Sequence, residues 1–278
     1  MTLSMRAAVV LCAAVVLVAC SPAAAPATPS APAAPASTPR TTPVDGSAER
    51  LVPNAVAARP AQPGMAPRYR AALVPDPCVD RDLVAPVATD IALTVLDRTY
   101  ALPAAYVPPD LVPAADAGLT GASGDKLVRV IVLDDLEAMR AGWEAAGLSI
   151  EIESAYRSFA NQAATFDLWV ARIGYPAALL RSARAGHSEH QLGTAIDVTS
   201  AGWSGRVGDW AAESAEGAWM ASHAWEYGFV MSYPADSIDA TCFGYEPWHY
   251  RWIGREVAAR HRAGGLDLRQ FLERYATG

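Results

Sequence analysis

From Ser21 to about Pro67 the chain is built almost wholly of Ala, Pro, Ser and Thr, without a single aromatic residue. Such a stretch cannot bury enough apolar surface to offset the entropy of ordering it. It therefore contributes nothing to a core and reads as a semi-extended tether over residues 20–66. Whatever folds must be drawn from residues 67–278, a length suited to one domain with one core. No internal repeat divides it.

The residues ahead of the tether read as an export signal, residues 1–19. Arg6 supplies a short charged region, Ala7 to Val16 an apolar run too short for a usual bilayer span, and Leu17-Val18-Ala19-Cys20 a small-residue cleavage site. LVAC followed by Ser21 resembles the lipobox of bacterial lipoproteins, with Cys20 as the lipidated new N-terminus; an ordinary signal peptide cut nearby is the alternative. The expectation is a protein held by a lipid on the outer face of the bacterial membrane. With Cys12 in the discarded segment and Cys20 lipidated, Cys78 and Cys242 remain, in a compartment that favours a disulfide. A zinc-thiolate role for Cys242 is the other possibility. The net charge of −7 and pI near 5.2 argue against nucleic acid as a partner, and nothing points to a protein partner.

Within the folding part, the period of the apolar residues sets the elements. Ile91 to Leu96 is a strand candidate, and LPAAYVPPDLVPA from Leu102 is irregular chain draped over a core. Val132, Leu136, Met139, Trp143 and Ala146 form one helical stripe that Gly147 ends. Leu148, Ile150 and Ile152 alternate with Ser149, Glu151 and Glu153, the mark of a half-buried strand. Ser158 caps a second helix with the stripe Phe159, Ala163, Phe166, Val170 and Ile173, closed by Gly174. Further strands are expected at Thr194 to Val198, in GFVMSYP and in YEPWHYRW, with helices around Glu213 to Tyr227 and after Asp267. Helices and strands mix without βαβ regularity, which predicts an α+β fold: a single catalytic domain whose small antiparallel sheet is flanked by helices.

The chemistry concentrates in HSEHQLGTAID, residues 187–197, and in EPWH. His190, Asp197 and His249 are an oxygen-and-nitrogen set that suits a catalytic zinc with a fourth position left open. Their spacing is loop-to-strand, unlike an HExxH helix. Asp197 stands out because a carboxylate inside the apolar run AIDV is costly unless paired or bound to metal. Glu246, three residues before His249, is placed as a general base. In a regular strand the two would face opposite ways, so Pro247 predicts an edge position or a bulge that turns both inward. Glu189 has no assigned role, since it and His190 are adjacent and cannot both serve a metal from one strand face. His187, His223 and His261 read as structural or surface residues. Arg157, directly after a strand, suits an oxyanion or a carboxylate; a surface salt bridge is its plain alternative.

Taken in order, SAYRSFANQ, GHSEHQLGTAIDV, GFVMSYP and YEPWHYRWIG resemble the VanY-type D-alanyl-D-alanine carboxypeptidases, over about Ile91 to Gly254. The passage TYALPAAYVPPDLV resembles the segment that precedes the catalytic core in that family. The resemblance implies a zinc (Zn2+) metallopeptidase with His190, Asp197 and His249 as ligands, Glu246 as base and Arg157 steadying the scissile carbonyl. It also implies that Gln162 and Ser188 hold the terminal D-alanine carboxylate and that Trp248 lines the pocket, with peptidoglycan stem peptides as substrate. Many relatives carry an arginine immediately before Tyr-Pro, where this chain has Ser232, and Cys242 is no family requirement. Two other readings stay open: an L,D-carboxypeptidase acting on tetrapeptide stems, and a non-catalytic wall-peptide-binding lipoprotein, which could keep three ligands and lose the base.

Overall fold

The computed structural model describes residues 78–85, 90–119, 126–201, 203 and 209–277. The export signal, Cys20, the 20–66 tether and the boundary at residue 67 lie outside the described residues. Among those described, no helix is long and apolar enough to cross a membrane.

In chain order the strands are β1 (Leu83–Val84), β2 (Tyr100–Ala101), β3 (Leu111–Pro113), β4 (Leu127–Arg129), β5 (Ile150–Ser154), β6 (Ala195–Ser200), β7 (Phe229–Met231) and β8 (His249–Trp252). The helices are α1 (Leu133–Ala145), α2 (Phe159–Ile173), α3 (Tyr175–Ala178), α4 (Trp210–Glu213), α5 (Ala215–His223), α6 (Ile238–Thr241), α7 (Arg255–Gly264) and α8 (Leu268–Thr277). Strands β5, β6, β8 and β7 form, in that order, an antiparallel sheet; β1 and β2 pair in parallel, β3 and β4 antiparallel. The expected α+β fold with a small antiparallel sheet is what the chain adopts.

Alternation in the strands divides the main sheet into an apolar face and a polar one. Ile150, Ile152, Ile196, Val198, Phe229, Tyr250 and Trp252 point to one side, where Leu136, Met139 and Trp143 of α1 and Met220 of α5 close over them. Each such side chain, fully buried, is worth about 1.5–3 kcal/mol. Asp197, His249 and Arg251 share the opposite face, because Asp197 lies opposite His249 and Ala195 opposite Arg251 in the ladder.

Several elements depart from expectation. Ile91–Leu93 is a 3-10 turn and not a strand: the Asp90 carboxylate accepts the Ala92 amide at 2.8 Å and closes it. The carbonyls of Ala92 and Thr94 serve Arg251 instead of a ladder. The helix expected over Glu213 to Tyr227 is α4, α5 and a 3-10 turn, broken at Ser214, whose hydroxyl accepts the Gly217 amide and caps α5. The α2 stripe is core only in part. Phe166 is buried and Ile173 is 42% exposed, while the polar Gln162 is buried at 1%. Helix α7 had no counterpart in the sequence reading. Helix α8 follows Asp267 as expected, its carboxylate accepting the Gln270 amide at 2.9 Å.

The passage from Leu102, expected to be irregular throughout, ends in β3, where Leu111 to Pro113 pair with β4, and its earlier part is held against the polar edge of the fold. Gln191 donates to the carbonyls of Pro103 and Tyr106, and the Leu102 amide donates to Gly186. Gly193 permits this contact: its φ is +74°, and a Cβ there would sit 3.0 Å from Arg129 and Leu111. Cys78 and Cys242 form a disulfide with Cα atoms 5.2 Å apart, closing a separation of 164 residues.

Candidate metal centre and active site

Asp197 reaches the site from β6, His249 from β8, and His190 from a 3-10 turn, Glu189–Leu192, that Ser188 caps. The three offer one ligand atom each, all within 4.8 Å of one another. His190 Nε2 lies 3.2 Å from one Asp197 oxygen and His249 Nδ1 2.9 Å from the other. Each ring is oriented from behind. His190 Nδ1–H donates to the Ala155 carbonyl at 2.7 Å, and His249 Nε2 stands 3.0 Å from the Glu189 carboxylate. Such outer partners fix which nitrogen faces a metal: Nε2 on His190, Nδ1 on His249.

Glu189, unassigned by the sequence reading, is thereby placed. It does not face the metal position. Its carboxylate accepts Ser232 Oγ at 2.6 Å and Arg251 Nη1 at 2.8 Å and supports His249. Arg251, wholly buried, also donates to the carbonyls of Ala92 and Thr94. Ser232, where relatives were expected to carry arginine, thus serves Glu189. Sequence reasoning missed Arg251; the available signal was its position two residues after His249, on the same strand face.

Electrostatics follow from this wiring. Burial would raise the Glu189 carboxyl, yet Arg251 with the His249 and Ser232 hydrogen bonds holds it at about 2. Burial likewise opposes ionisation of Asp197, but the two imidazoles keep it well below the usual carboxylate range. Burial lowers His190, which favours the neutral, ligating ring. In His249 burial is outweighed by its bonds to Asp197 and Glu189, and the ring is raised to about 10. Arg251 stands 2.8 Å from the Glu189 carboxylate and Arg157 3.7 Å from that of Asp197, and a divalent cation held by the two rings and Asp197 would add positive charge where the carboxylate faces the cleft.

Glu246 arrives by a different route from the one expected. No edge or bulge in β8 turns it inward: β8 is interior to the sheet, and Glu246 precedes it in a turn in which the His249 amide donates to the Glu246 carbonyl at 3.1 Å. The Glu246 amide is tied in turn to the Tyr233 carbonyl at 3.0 Å. The bulge lies in β5, where the register slips between Ile152 and Ser154 and brings Ser154 opposite Asp197. Burial raises the Glu246 carboxyl to about 7, where it can exchange a proton near neutral pH.

Arg157 is fixed by Ser154 and α2: its Nη2 donates to Ser154 Oγ at 2.7 Å and its Nη1 to Gln162 Oε1 at 2.9 Å. Gln162 gives its own amide hydrogens to Ser182 Oγ and the Ala183 carbonyl. It is therefore committed to holding Arg157 and has no donor left for the substrate carboxylate expected of it. Ser188, Trp248, Arg157, Gln162, Glu246 and the three prospective ligands all line one cleft of about 310 Å³. His187, expected to be structural, is buried between the Asp97 carbonyl and Asp82.

Residues 125–255 match the sequence profile of the VanY family, described as D-alanyl-D-alanine carboxypeptidase. YodJ of Bacillus subtilis, provisionally named a carboxypeptidase, is 32% identical over 183 residues, covering 66% of this chain and 67% of that protein. The chain belongs to the VanY family. A D-alanyl-D-alanine carboxypeptidase of Enterococcus faecium is 31% identical over 122 residues, 44% of this chain, and the match spans only 36% of that relative. Among solved structures, the LdcB LD-carboxypeptidase is 30% identical with a TM-score of 0.59, over 66% of this chain and 88% of its own. A VanY-type D,D-pentapeptidase variant from a VanB-type vancomycin-resistance cassette, in complex with Zn(II), is 26% identical with a TM-score of 0.55, over 65% and 98%. Both share the fold of this chain over those spans.

Proposed function

We propose that this VanY-family chain is a zinc-dependent carboxypeptidase that hydrolyses the C-terminal D-alanine from peptidoglycan stem peptides. The observation that carries the reading is that His190, Asp197 and His249 line the same cleft as a carboxyl poised near neutrality and a pinned guanidinium. The donor set fits zinc: two imidazoles with fixed tautomers and one carboxylate, the usual ligands of an open catalytic site. Bound there, zinc supplies Lewis-acid polarisation and a water acidified toward neutrality. Glu246 takes the proton of the attacking water and delivers it to the leaving amine. Arg157, held by Ser154 and Gln162, donates to the carbonyl oxygen as negative charge develops on it. The apolar run Ala7 to Val16 and the LVAC segment support export and a lipid on Cys20, which would bring the enzyme to the wall on the outer membrane face.

The likeness to an LD-carboxypeptidase favours a second reading, release of D-alanine from a tetrapeptide stem. Both are tested by measuring D-alanine released by the purified protein from pentapeptide and tetrapeptide stems, with and without chelator, beside Glu246→Gln. Chelator-sensitive release from the pentapeptide, lost by at least about a hundredfold in the variant, is the expected result; release from the tetrapeptide alone moves the assignment to L,D. Absence of release from either, with zinc bound and the fold intact, leaves a binder and sinks the hydrolase. The same assay carries a pH test. The base acts only when deprotonated, so kcat/KM should fall as pH drops through the Glu246 pKa, which burial raises to about 7 and a cation beside it would lower.

A further inference from the structure

The cleft holds a second arginine that the mechanism does not use. Arg181 follows α3 on a short segment pinned at three points: the Gly244 amide donates to the Leu180 carbonyl at 2.9 Å, and Gln162 donates to Ser182 Oγ and the Ala183 carbonyl. Its guanidinium carbon sits 5.5 Å from the ring centroid of Trp169 in α2 and 5.5 Å from that of Trp248, ahead of β8. All three residues line the same cleft as the prospective metal ligands. Among the described residues no carboxylate lies within ion-pair distance of Arg181, although its side chain is exposed and cationic.

A guanidinium within cation–π range of two indoles is steadied by both rings, and its N–H groups remain available to an anion. Part of the entropy that a long side chain loses on binding is thereby spent beforehand. A substrate of this cleft brings carboxylates, at its terminus and on the side chains of a stem peptide. In the proposed reaction Arg157 serves the reacting carbonyl, and Gln162 has no donor to spare. We propose that Arg181, in cation–π contact with Trp169 and Trp248, is a specificity-determining residue that receives a substrate carboxylate at the rim of the cleft. The inference rests on the carboxypeptidase reading and adds to it the group that selects for an anionic peptide.

The test compares wild type with Arg181→Gln and Arg181→Lys in the full chain. Steady-state D-alanine release is measured alongside peptide dissociation constants from calorimetry. The probes are a D-alanyl-D-alanine peptide with a free side-chain carboxylate, its side-chain amide, and its C-terminal amide as a competing ligand. Arg181→Gln should raise KM and Kd for the free acid roughly tenfold to a hundredfold, the range of a charge-assisted hydrogen bond, with kcat, compared on the high-pH plateau where Glu246 is ionised, within about threefold and partial recovery in Arg181→Lys. If the side-chain carboxylate is the partner, wild type discriminates acid from side-chain amide and the variant does not. If the terminal carboxylate is the partner, it is the advantage over the C-terminal amide that disappears. Unchanged KM and Kd for all three probes in a folded, active Arg181→Gln protein, or a loss confined to kcat, overturns the inference and leaves the carboxypeptidase reading standing. A wild type that neither binds nor cleaves these peptides or a tetrapeptide stem overturns both.

Discussion

At the scale of single residues, the site is organised by what stands behind the prospective ligands. Glu189 is the clearest case: it touches His249 on the side away from the metal position and is itself held by Arg251 and Ser232. Replacing it by glutamine keeps the shape, removes the negative charge that supports the His249 ring, and leaves Arg251 buried without its counter-ion. Glu189→Gln is expected to weaken zinc binding by about 10- to 100-fold, the usual cost of losing an outer partner of a metal-ligating histidine. Competition with a chromophoric chelator, on protein shown to be folded by circular dichroism, measures it. Unchanged affinity would show that the backbone alone orients His249. The role of Glu189 was hidden in the sequence because adjacency to His190 says nothing about which side of a 3-10 turn a carboxylate leaves from.

At the scale of elements, the sheet does the sorting. Strict alternation in β6 and β8 sends Ile196, Val198, Tyr250 and Trp252 to the core and Asp197, His249 and Arg251 to the opposite face. The strand pattern of LSIEIES and the caps at Ser158 and Asp267 were legible because they depend on neighbours a few residues away. The register slip in β5 and the turn at Pro247 were not, since each is settled by a partner strand. The passage after Leu102 packs against the His190 turn only because Gly193 has no side chain. Gly193→Ala is expected to cost about 1–2 kcal/mol for the left-handed backbone, with a further loss from displacing Arg129 or Leu111. A shifted urea midpoint would report it; an unchanged midpoint would mean that this packing contributes nothing to stability.

At the scale of the whole molecule, the Cys78–Cys242 disulfide joins the start of the described chain to the segment that leads into Glu246. Closing so long a loop restricts the unfolded chain. Substituting both cysteines by serine is expected to lower unfolding stability by about 2–5 kcal/mol, read by chemical denaturation. Equal stability of the wild type with and without reductant would count against a structural role. The Asp97–Arg269 pair works over a similar range, fastening α8 by a 2.7 Å contact between buried groups.

The amino-acid sequence by itself determined the α+β class, the four strands of the main sheet, helices α1, α2, α5 and α8, the candidate ligand triad and the resemblance to VanY-type enzymes. These follow from local periodicity, from capping, and from the cost of an acidic residue inside an apolar strand. Only the tertiary structure decided that Gln162 serves Arg157, that Glu189 and Arg251 stand behind His249, and that Arg181 lies within cation–π range of Trp169 and Trp248. Each of those contacts joins residues distant in sequence or turns on which way a side chain leaves its element, and hydrogen-bond geometry between such groups is set by packing alone.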